Sequence, residues 1–383
     1  MFRHVFLISN FLFFYLFAQS QDSLYAREVV KYLTSKECFG RGYVGDGLKK
    51  AEQYIIGEIK KNKALPLFSD GFTQTFYQDV NTFPSQCKVA INSQELRPGL
   101  DYILNPSSSK AKGTFSLTKV DSTHYISVSQ EANISLVIKK KLTYSVSHQA
   151  KQFCEIELLK DVQADEIKSI QLDVKNKFIK HFKSNNIVCY IKGSSTKDTF
   201  IVFSAHYDHL GGMGKQTYFP GANDNASGVS VVLNLIKYYT IHQPKYNIAF
   251  IFFAGEEAGL IGSKFFVESK IFDLKKIKFL INLDLLGTGD DGIMIVNGAI
   301  HNKEFEMLNQ INNQQHLVKQ IKKRGKAANS DHYWFSEAGV PCFFIYTMGG
   351  ITAYHDVFDI EKTLPLTDYK DILNLITTFV FQL

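Results

Sequence analysis

The chain has 383 residues, of which 45% are hydrophobic and 21% are charged, so it can bury the core of one large domain that carries an insertion. The formal net charge of +6 is spread along the chain in short clusters such as Lys139-Lys140-Lys141. Because no basic stripe with interleaved aromatic residues accompanies these clusters, we expect no nucleic-acid partner.

The first twenty residues have the pattern of a secretory signal peptide. Arg3 and His4 precede an apolar stretch over residues 5–17, and small and polar residues follow it. That stretch is shorter than the roughly 20 apolar residues that span a bilayer. We therefore expect residues 1–20 to be removed, the protein to be secreted or periplasmic, and no stable membrane insertion after cleavage. An uncleaved anchor is the alternative.

The next two regions differ in character. Residues 21–86 are expected to be the helical N-terminal part of the main domain, with amphipathic stretches over 24–33 and 48–61. From 87 to 185, short β-prone runs such as 134–138 alternate with turns rich in Ser, Lys and Gly. This second region is predicted to be a β-rich insertion.

The five cysteines form no C-x-x-C pair, and an odd number leaves at least one thiol unpaired. Cys189 and Cys342 lie in apolar strand patterns, so we expect them to be buried. An exported protein can form disulfides, and a bridge between Cys87 and Cys154 is left open.

Apolar strands alternate with helices over residues 186–383, which are expected to form the catalytic core. The expected strands cover residues 187–191, 199–205, 247–254, 277–283, 293–296 and 342–346, and the expected helices cover 226–239, 259–269 and about 303–313. Several of these strands are continuously apolar, which indicates a sheet that helices cover on both faces. The sequence therefore predicts an α/β fold, a mostly parallel mixed sheet sandwiched by helices.

Polar residues stand where several of these strands end. His206, the pair Glu256-Glu257 and Asp284 each follow an apolar run. Since ligand sites in such sheets gather at the carboxyl ends of the strands, the loops that carry these residues are expected to converge. Two adjacent acids after a buried strand repel each other and lose solvation unless a cation compensates them. Their alternative role is that of acids at a solvated helix N-terminus.

Two further segments add candidate ligands. Asp224 stands before an apolar helix, where it can act as an N-cap or as a carboxylate bridge between two cations. His355 lies near the end of the chain with Asp359 as a possible support, and His332 is its rival as a ligand. Asp208, two residues after His206, can accept a hydrogen bond from the non-ligating nitrogen of that histidine or from its neighbourhood.

Together, the segments SAHYDHLG, FPGANDNASG, FFAGEEAGLIGS, INLDLLG and AYHDVFD resemble those of the co-catalytic zinc exopeptidases. That family includes bacterial leucyl-type aminopeptidases, glutamate carboxypeptidases and glutaminyl cyclases. The resemblance runs from about Asn186 to the C-terminus and is weaker over residues 24–80. Residues 87–185 occupy the place where relatives often carry a protease-associated insertion, although no motif matches them to it.

The resemblance implies a role for each candidate residue. His206 and Asp284 would bind one zinc ion, Glu257 and His355 the other, and Asp224 would bridge the two. Glu256 would be the general base, while Asp208, Asp331 and Asp359 would lie behind the ligands and support them. The sequence departs from the family at Asp356, which stands where a threonine usually follows the last histidine.

The implied activity is that of a secreted zinc aminopeptidase that hydrolyses N-terminal residues from peptides with two zinc ions per chain. A dipeptidase or carboxypeptidase of the same fold and a glutaminyl cyclase are the alternatives within the family. A non-catalytic, receptor-like binding protein is the alternative of another class. The ligand types by themselves also suit manganese or cobalt.

Overall fold

The computed structural model describes residues 23–128, 132–162 and 166–383. The helices are α1 (23–33), α2 (Gly47–Lys61), α3 (Gly228–Ile241), α4 (Ile261–Glu268), α5 (Asn302–Gln315), α6 (His332–Glu337) and α7 (Tyr369–Gln382). Short helical turns cover Phe39–Arg41, Lys160–Val162, Ala222–Ser227, Leu274–Lys276 and Glu361–Thr363.

The strands, in chain order, are β1 (Leu65–Pro66), β2 (Thr73–Thr82), β3 (Cys87–Ile91), β4 (Gln94–Glu95), β5 (Tyr102–Leu104), β6 (Ala111–Ser116), β7 (Thr118–Lys119), β8 (His124–Val128), β9 (Asn133–Lys139), β10 (Cys154–Leu159), β11 (Ser169–Val174), β12 (Lys177–Ile191), β13 (Phe200–His206), β14 (Gly212–Met213), β15 (Thr217–Tyr218), β16 (Asn247–Phe253), β17 (Ile277–Leu283), β18 (Ile293–Val296), β19 (Ile321–Lys323) and β20 (Cys342–Thr347).

The central sheet has the strand order β1-β12-β16-β13-β17-β20-β18-β19, and β2 also pairs with β12. Strands β16, β13, β17 and β20 run parallel at its centre, whereas β12 and β18 join them antiparallel. The parallel strands are almost entirely buried, as expected of strands that are covered on both faces. The predicted α/β fold with a helix-flanked mixed sheet is confirmed, and parallel pairing is concentrated in the middle of the sheet.

Alternate residues of β13 pack into separate cores on the two faces of the sheet. Ile201 and Phe203 belong to the larger core, which also contains residues of α1, α2, α3, α5 and α7. Val202 packs on the opposite face with Phe266 of α4 and Phe335 of α6. Since successive side chains of a strand point to opposite faces, one apolar run supplies both cores.

The segment between β2 and β12 forms two smaller sheets, with strand orders β5-β10-β9-β8-β7 and β4-β3-β11-β6. Their core also takes in Leu210, Met213 and Phe219 from the loop after β13, so these sheets pack directly against the main domain.

Two stretches differ from the secondary structure expected of them. Residues 73–82 were expected in a helical part, but they form β2, whose side chains largely alternate between buried and partly exposed positions and which pairs with β12. Strand β12 is continuous from Lys177 to Ile191, so the predicted boundary at residue 185 falls inside one strand.

The five cysteines are free and buried, so the Cys87–Cys154 bridge that the sequence left open is not formed. Both of these residues belong to the core of the smaller sheets. Residues 1–20, which carry the predicted signal peptide, lie outside the described residues. Within 23–128, 132–162 and 166–383, no helix combines the length and the apolar character that crossing a membrane requires.

Candidate metal centre

The predicted site residues come together at the edge of the central sheet where its parallel strands end. His206 is the last residue of β13 and is in register with Phe253, the last residue of β16. Glu256 and Glu257 come shortly after β16, and Asp284 directly follows β17. Because these strands are parallel neighbours, the loops that follow them open on the same side of the sheet.

His206 and two carboxylates form the first half of the site. Nε2 of His206 lies 3.2 Å from Oδ1 of Asp224 and 3.3 Å from Oδ1 of Asp284. Nδ1 of the same ring lies 3.1 Å from the backbone carbonyl oxygen of Asp208 and therefore carries a proton. All of these side chains are buried. The other ring nitrogen thus faces two carboxylates, an arrangement that either a proton on the ring or a bound cation stabilises.

His355 completes the second half of the site. Its Nε2 lies 3.1 Å from Oδ2 of Asp224 and 3.2 Å from Oε2 of Glu257. Its Nδ1 lies 3.1 Å from the backbone carbonyl oxygen of Tyr144 and donates a hydrogen bond to it. Asp224 therefore presents one carboxylate oxygen to each of the two histidines, His206 and His355.

The donor atoms and their spacing fit zinc. Zinc is bound by imidazole nitrogen and carboxylate oxygen at roughly 2.0–2.2 Å in tetrahedral geometry, so two ligand atoms should lie about 3.3 Å apart. The separations between each histidine nitrogen and its carboxylate neighbours are 3.1–3.3 Å. His206 and Asp284 could therefore hold one ion and His355 and Glu257 a second, with Asp224 shared between them.

The charges of the site favour a bound cation. Burial lowers the pKa of His355, but Glu257 and Asp224 outweigh this effect and raise that pKa to about 11. Burial also lowers the pKa of His206, but acidic neighbours, Asp284 first among them, raise it well above the ordinary value. Burial raises the pKa of Glu257, but the nearby His355 helps to lower it to about 2. The anionic field that stabilises a proton on these imidazoles also stabilises a metal ion.

Glu256 lies beside the cluster, where its half-buried side chain lines the same pocket. Burial raises the pKa of its carboxyl group well above the ordinary value, and the nearby carboxylates of Glu257 and Asp331 raise it further, although His206 opposes them. A carboxylate whose pKa is raised accepts a proton more readily than an ordinary one.

Asp208 supports the loop of Glu256 rather than the ring of His206. Its Oδ1 is 3.8 Å from Nδ1 of His206, which instead bonds the backbone carbonyl oxygen of Asp208. The carboxylate accepts hydrogen bonds from the hydroxyl of Tyr43 and the backbone N–H of Glu256, both at 3.2 Å. The hydrogen bond expected from the imidazole thus goes to the backbone, because the turn after β13 places the carbonyl oxygen closer to the ring.

The two other acids that were expected to support the ligands are both buried. Asp359 is buried and accepts hydrogen bonds from the backbone N–H groups of Asn223 at 2.8 Å and Asp224 at 3.0 Å, so it fixes the loop of the shared carboxylate. Asp331 is fully buried, and burial raises the pKa of its carboxyl group to about 7.

His332, the alternative to His355, packs in the interior of the protein. Its ring centroid lies 5.3 Å from that of Phe344, and burial lowers its pKa to about 4. No ion pair joins this imidazole to a carboxylate within the described part of the chain. Of these two histidines, the structure brings His355 to the shared carboxylate.

Arg41 is a buried cation beneath the site to which the sequence analysis gave no role. Its guanidinium donates hydrogen bonds of 2.7–3.3 Å to the backbone carbonyl oxygens of Leu33, Tyr207, Pro220, Gly221 and Asp224. The end of α1, the turn after β13 and the loop of the shared carboxylate are thereby joined at one point. The available signal was the glycine-flanked Gly40-Arg41-Gly42 turn.

His209 is the other residue that the sequence analysis missed. It is fully buried, and its Nδ1 lies 2.5 Å from Oε1 of Glu257. The available signal was the second histidine of the HYDHLG segment.

A strap, defined as residues 141–148, runs from the smaller sheets to the rim of the site. The backbone N–H of Tyr144 donates to the carbonyl oxygen of His355 at 2.9 Å, and the carbonyl oxygen of Tyr144 accepts the hydrogen bond from the ring of His355. The ring of Tyr144 stacks on Phe219 with centroids 4.4 Å apart and planes 6° apart. The smaller sheets therefore supply a direct contact to one candidate ligand.

The site opens into a pocket of about 430 Å³. Its polar lining residues include His206, Asp224, Glu256, Glu257, Asp284 and His355. Apolar and aromatic side chains also line the pocket, namely those of Leu260, Leu285, Phe344, Tyr346 and Tyr354, and the ring of Tyr354 stacks on that of His355 with centroids 4.0 Å apart. A pocket lined by both polar and apolar groups suits a small ligand that presents both kinds of group.

Residues 186–380 match the model of peptidase family M28. Among curated proteins, the chain is 32% identical over 180 residues to a probable leucine aminopeptidase of Arthroderma otae, a match over 44% of this chain and 48% of that protein. It is 35% identical over 114 residues to a probable zinc metalloprotease of Pyricularia oryzae, over 29% of this chain and 23% of that protein. The chain thus spans about half or less of the length of these relatives.

Solved structures with the same fold cover nearly the whole chain. A zinc aminopeptidase from Bacillus subtilis superposes with a TM-score of 0.70 at 19% identity, over 94% of each chain. An aminopeptidase from Aneurinibacillus sp. strain AM-1 superposes with a TM-score of 0.64 at 18% identity, over 94% of this chain and 93% of the other. At these identities the likeness establishes the fold alone.

Proposed function

Because the chain belongs to peptidase family M28 and is therefore a zinc metallopeptidase, we propose that it is a secreted aminopeptidase that hydrolyses N-terminal residues from peptides. The observation that carries this proposal is the position of Asp224, whose two carboxylate oxygens face His206 and His355 at 3.2 and 3.1 Å. A carboxylate placed in this way is the natural bridge between two metal ions. The fungal leucine aminopeptidases among its relatives support the choice of an aminopeptidase.

His206 and Asp284 would hold one zinc ion, Glu257 and His355 the other, and Asp224 both. Zinc ions held there would supply Lewis acidity toward the scissile carbonyl group and lower the pKa of water. Asp359 keeps the loop of the shared carboxylate in place through its two backbone hydrogen bonds.

Glu256 is the residue that moves the proton. It lines the pocket beside the cluster, and its raised pKa allows it to take a proton from the attacking water and return it to the leaving amine. The apolar and aromatic side chains that line the same pocket receive the substrate side chain. The pocket therefore holds the end of the peptide, the proton acceptor and the candidate ligands together.

The test is a comparison of Glu256→Gln with the wild-type protein on a peptide library, with products identified by mass spectrometry. The amide keeps the shape of the side chain but cannot accept the proton, so we expect turnover to fall by about 10²–10⁴-fold while zinc content is unchanged. Glu268→Gln is the control, because Glu268 is an exposed acid on α4. Wild-type turnover by Glu256→Gln would contradict the assignment of Glu256 as the general base.

The same library separates the proposed function from its alternatives. An aminopeptidase releases single residues from the N-terminus and stops when a chelator removes the metal. Cleavage within peptides, or cleavage that survives chelation, would contradict the proposal. Release of ammonia from a peptide that begins with Gln, without a freed amino acid, would indicate a glutaminyl cyclase instead.

A further inference from the structure

His209 and His206 lie in the same turn after β13, but their surroundings differ. Nε2 of His206 faces two carboxylates at 3.2–3.3 Å. Nδ1 of His209 lies 2.5 Å from a single oxygen, Oε1 of Glu257, while Oε2 of that residue faces His355 at 3.2 Å. The two oxygens of Glu257 thus have separate neighbours.

The short distance identifies a hydrogen bond rather than two ligands of one ion. Two ligand atoms 2.5 Å apart, each roughly 2.0 Å from zinc, would subtend about 77° at the metal, far below the tetrahedral angle. The histidine–carboxylate separations assigned to the metal ions correspond to a tetrahedral edge instead. An ionised carboxylate only accepts hydrogen bonds, so Nδ1 of His209 carries the proton.

The ring of His209 has little freedom to turn. The side chain is fully buried, and its backbone N–H donates to the carbonyl oxygen of Arg41 at 3.1 Å. Gly221 lies against the ring so closely that a Cβ atom there would come within 2.5 Å of Cδ2 of the imidazole. Within the described residues, Nε2 of His209 has no hydrogen-bond partner. The hydrogen bond from Nδ1 to Glu257 is therefore the one polar contact that orients the imidazole ring.

We propose that His209 is the positioning residue of Glu257: its Nδ1–H occupies Oε1 and thereby leaves Oε2 directed at the second metal position. This inference rests on the proposed function, since it assigns Glu257 to that position. Hydrogen bonds of this kind to a metal-binding carboxylate typically change metal affinity by roughly 10–100-fold. The first metal position, which contains His206 and Asp284, does not depend on the bond.

The test measures zinc binding to wild-type protein, His209→Ala and His209→Asn by titration with zinc chloride against a competing chelator. We expect wild-type protein to bind two ions and His209→Ala to bind one of them about 10–100-fold more weakly, with the other unchanged. Asn places an amide N–H at the same point along the side chain as Nδ1, so His209→Asn should recover most of the lost affinity. His242→Ala is the control, because His242 is exposed on the surface.

The outcomes separate this inference from the function on which it rests. Wild-type affinity at both positions in His209→Ala would overturn the inference and leave the proposed function standing. An equal loss at both positions in the Ala and Asn variants, together with a lower melting temperature, would show a packing role and would also overturn it. A wild-type protein that binds no zinc would overturn the proposed function and this inference with it.

Discussion

At the scale of single residues, the site depends on which edge of each imidazole faces the acids. The backbone carbonyl oxygens of Asp208 and Tyr144 take the Nδ1 protons of His206 and His355, so Nε2 of both rings is directed at Asp224. Fixing the tautomer in this way raises the ability of a histidine to bind metal. The backbone thus fixes the tautomer and the orientation of both imidazoles independently of a bound ion.

This arrangement predicts that zinc binding releases protons. The pKa of His355, raised to about 11, lies above neutral pH, so in metal-free protein at pH 7 this imidazole is protonated. Zinc requires the neutral ring, and one proton must therefore leave it as the ion binds. Zinc affinity should then increase as pH rises from 6 to 8. Calorimetric titration in buffers with different ionisation enthalpies measures the number of protons released.

The control for this experiment is His355→Asn, which should release fewer protons because it lacks the titrating ring. A heat of binding that does not depend on the buffer would contradict the prediction.

Some residues of the site could be predicted from the sequence and others could not. It predicted that Glu256, Glu257 and Asp284 would stand near one another, because each follows a buried strand. It did not assign a role to His209, since HYDHLG holds two histidines and the backbone turn decides which acids each one meets. Arg41 was missed for a similar reason, because its five acceptors are backbone carbonyl groups from distant parts of the chain.

At the scale of elements, apolar runs were predicted well and polar ones poorly. The continuously apolar strands β13, β16 and β17 are fixed by their own composition and were expected within one residue of their bounds. Strand β2, with the sequence TQTFYQDVNT, carries few apolar residues, and its extended form comes from pairing with β12. Such pairing depends on distant residues, which a local pattern does not reveal.

The strap offers a test of how an element outside the central sheet acts on the site. Tyr144→Ala removes a buried ring that stacks on Phe219, so we expect the free energy of unfolding to fall by about 3–5 kcal/mol, as for other large aromatic residues. The loosened strap should also hold His355 less firmly, and zinc should dissociate faster. Chemical denaturation and the rate of zinc transfer to a chelator measure the two effects.

Tyr144→Phe is the matched control, because it keeps both the stacked ring and the backbone. It should differ from wild-type protein by about 1 kcal/mol or less, with unchanged zinc dissociation. If Tyr144→Ala lost stability but released zinc at the wild-type rate, the strap would not position His355.

At the scale of the whole molecule, the buried acids of the site oppose folding unless a cation compensates them. Asp208, Asp331 and Asp359 have pKa values raised to between about 6 and 7, with burial as the largest cause. Each is more easily protonated in the folded protein than in the unfolded chain. Their ionisation therefore costs stability as pH rises through these values, and bound cations offset that cost.

Zinc should accordingly stabilise the folded chain. At a free concentration one hundred times its dissociation constant, each ion adds about 2.7 kcal/mol to the free energy of unfolding. We expect the melting temperature to rise by at least a few degrees when zinc is restored to chelated protein, as measured by scanning calorimetry. Magnesium, which prefers an all-oxygen shell, should have little effect. Equal melting temperatures with and without zinc would contradict a structural contribution of the metal.

The route of the chain through the smaller sheets has one more consequence. Thr82 and Lys177 are paired neighbours on β2 and β12, so the backbone leaves the central sheet and returns to it at the same place. A short turn could join these two residues and omit everything between them. Such a shortened chain would lack the carbonyl oxygen of Tyr144 that accepts the hydrogen bond from Nδ1 of His355. A protein in which another segment replaced this one would need a new acceptor for that hydrogen bond, so the segment and His355 are expected to evolve together.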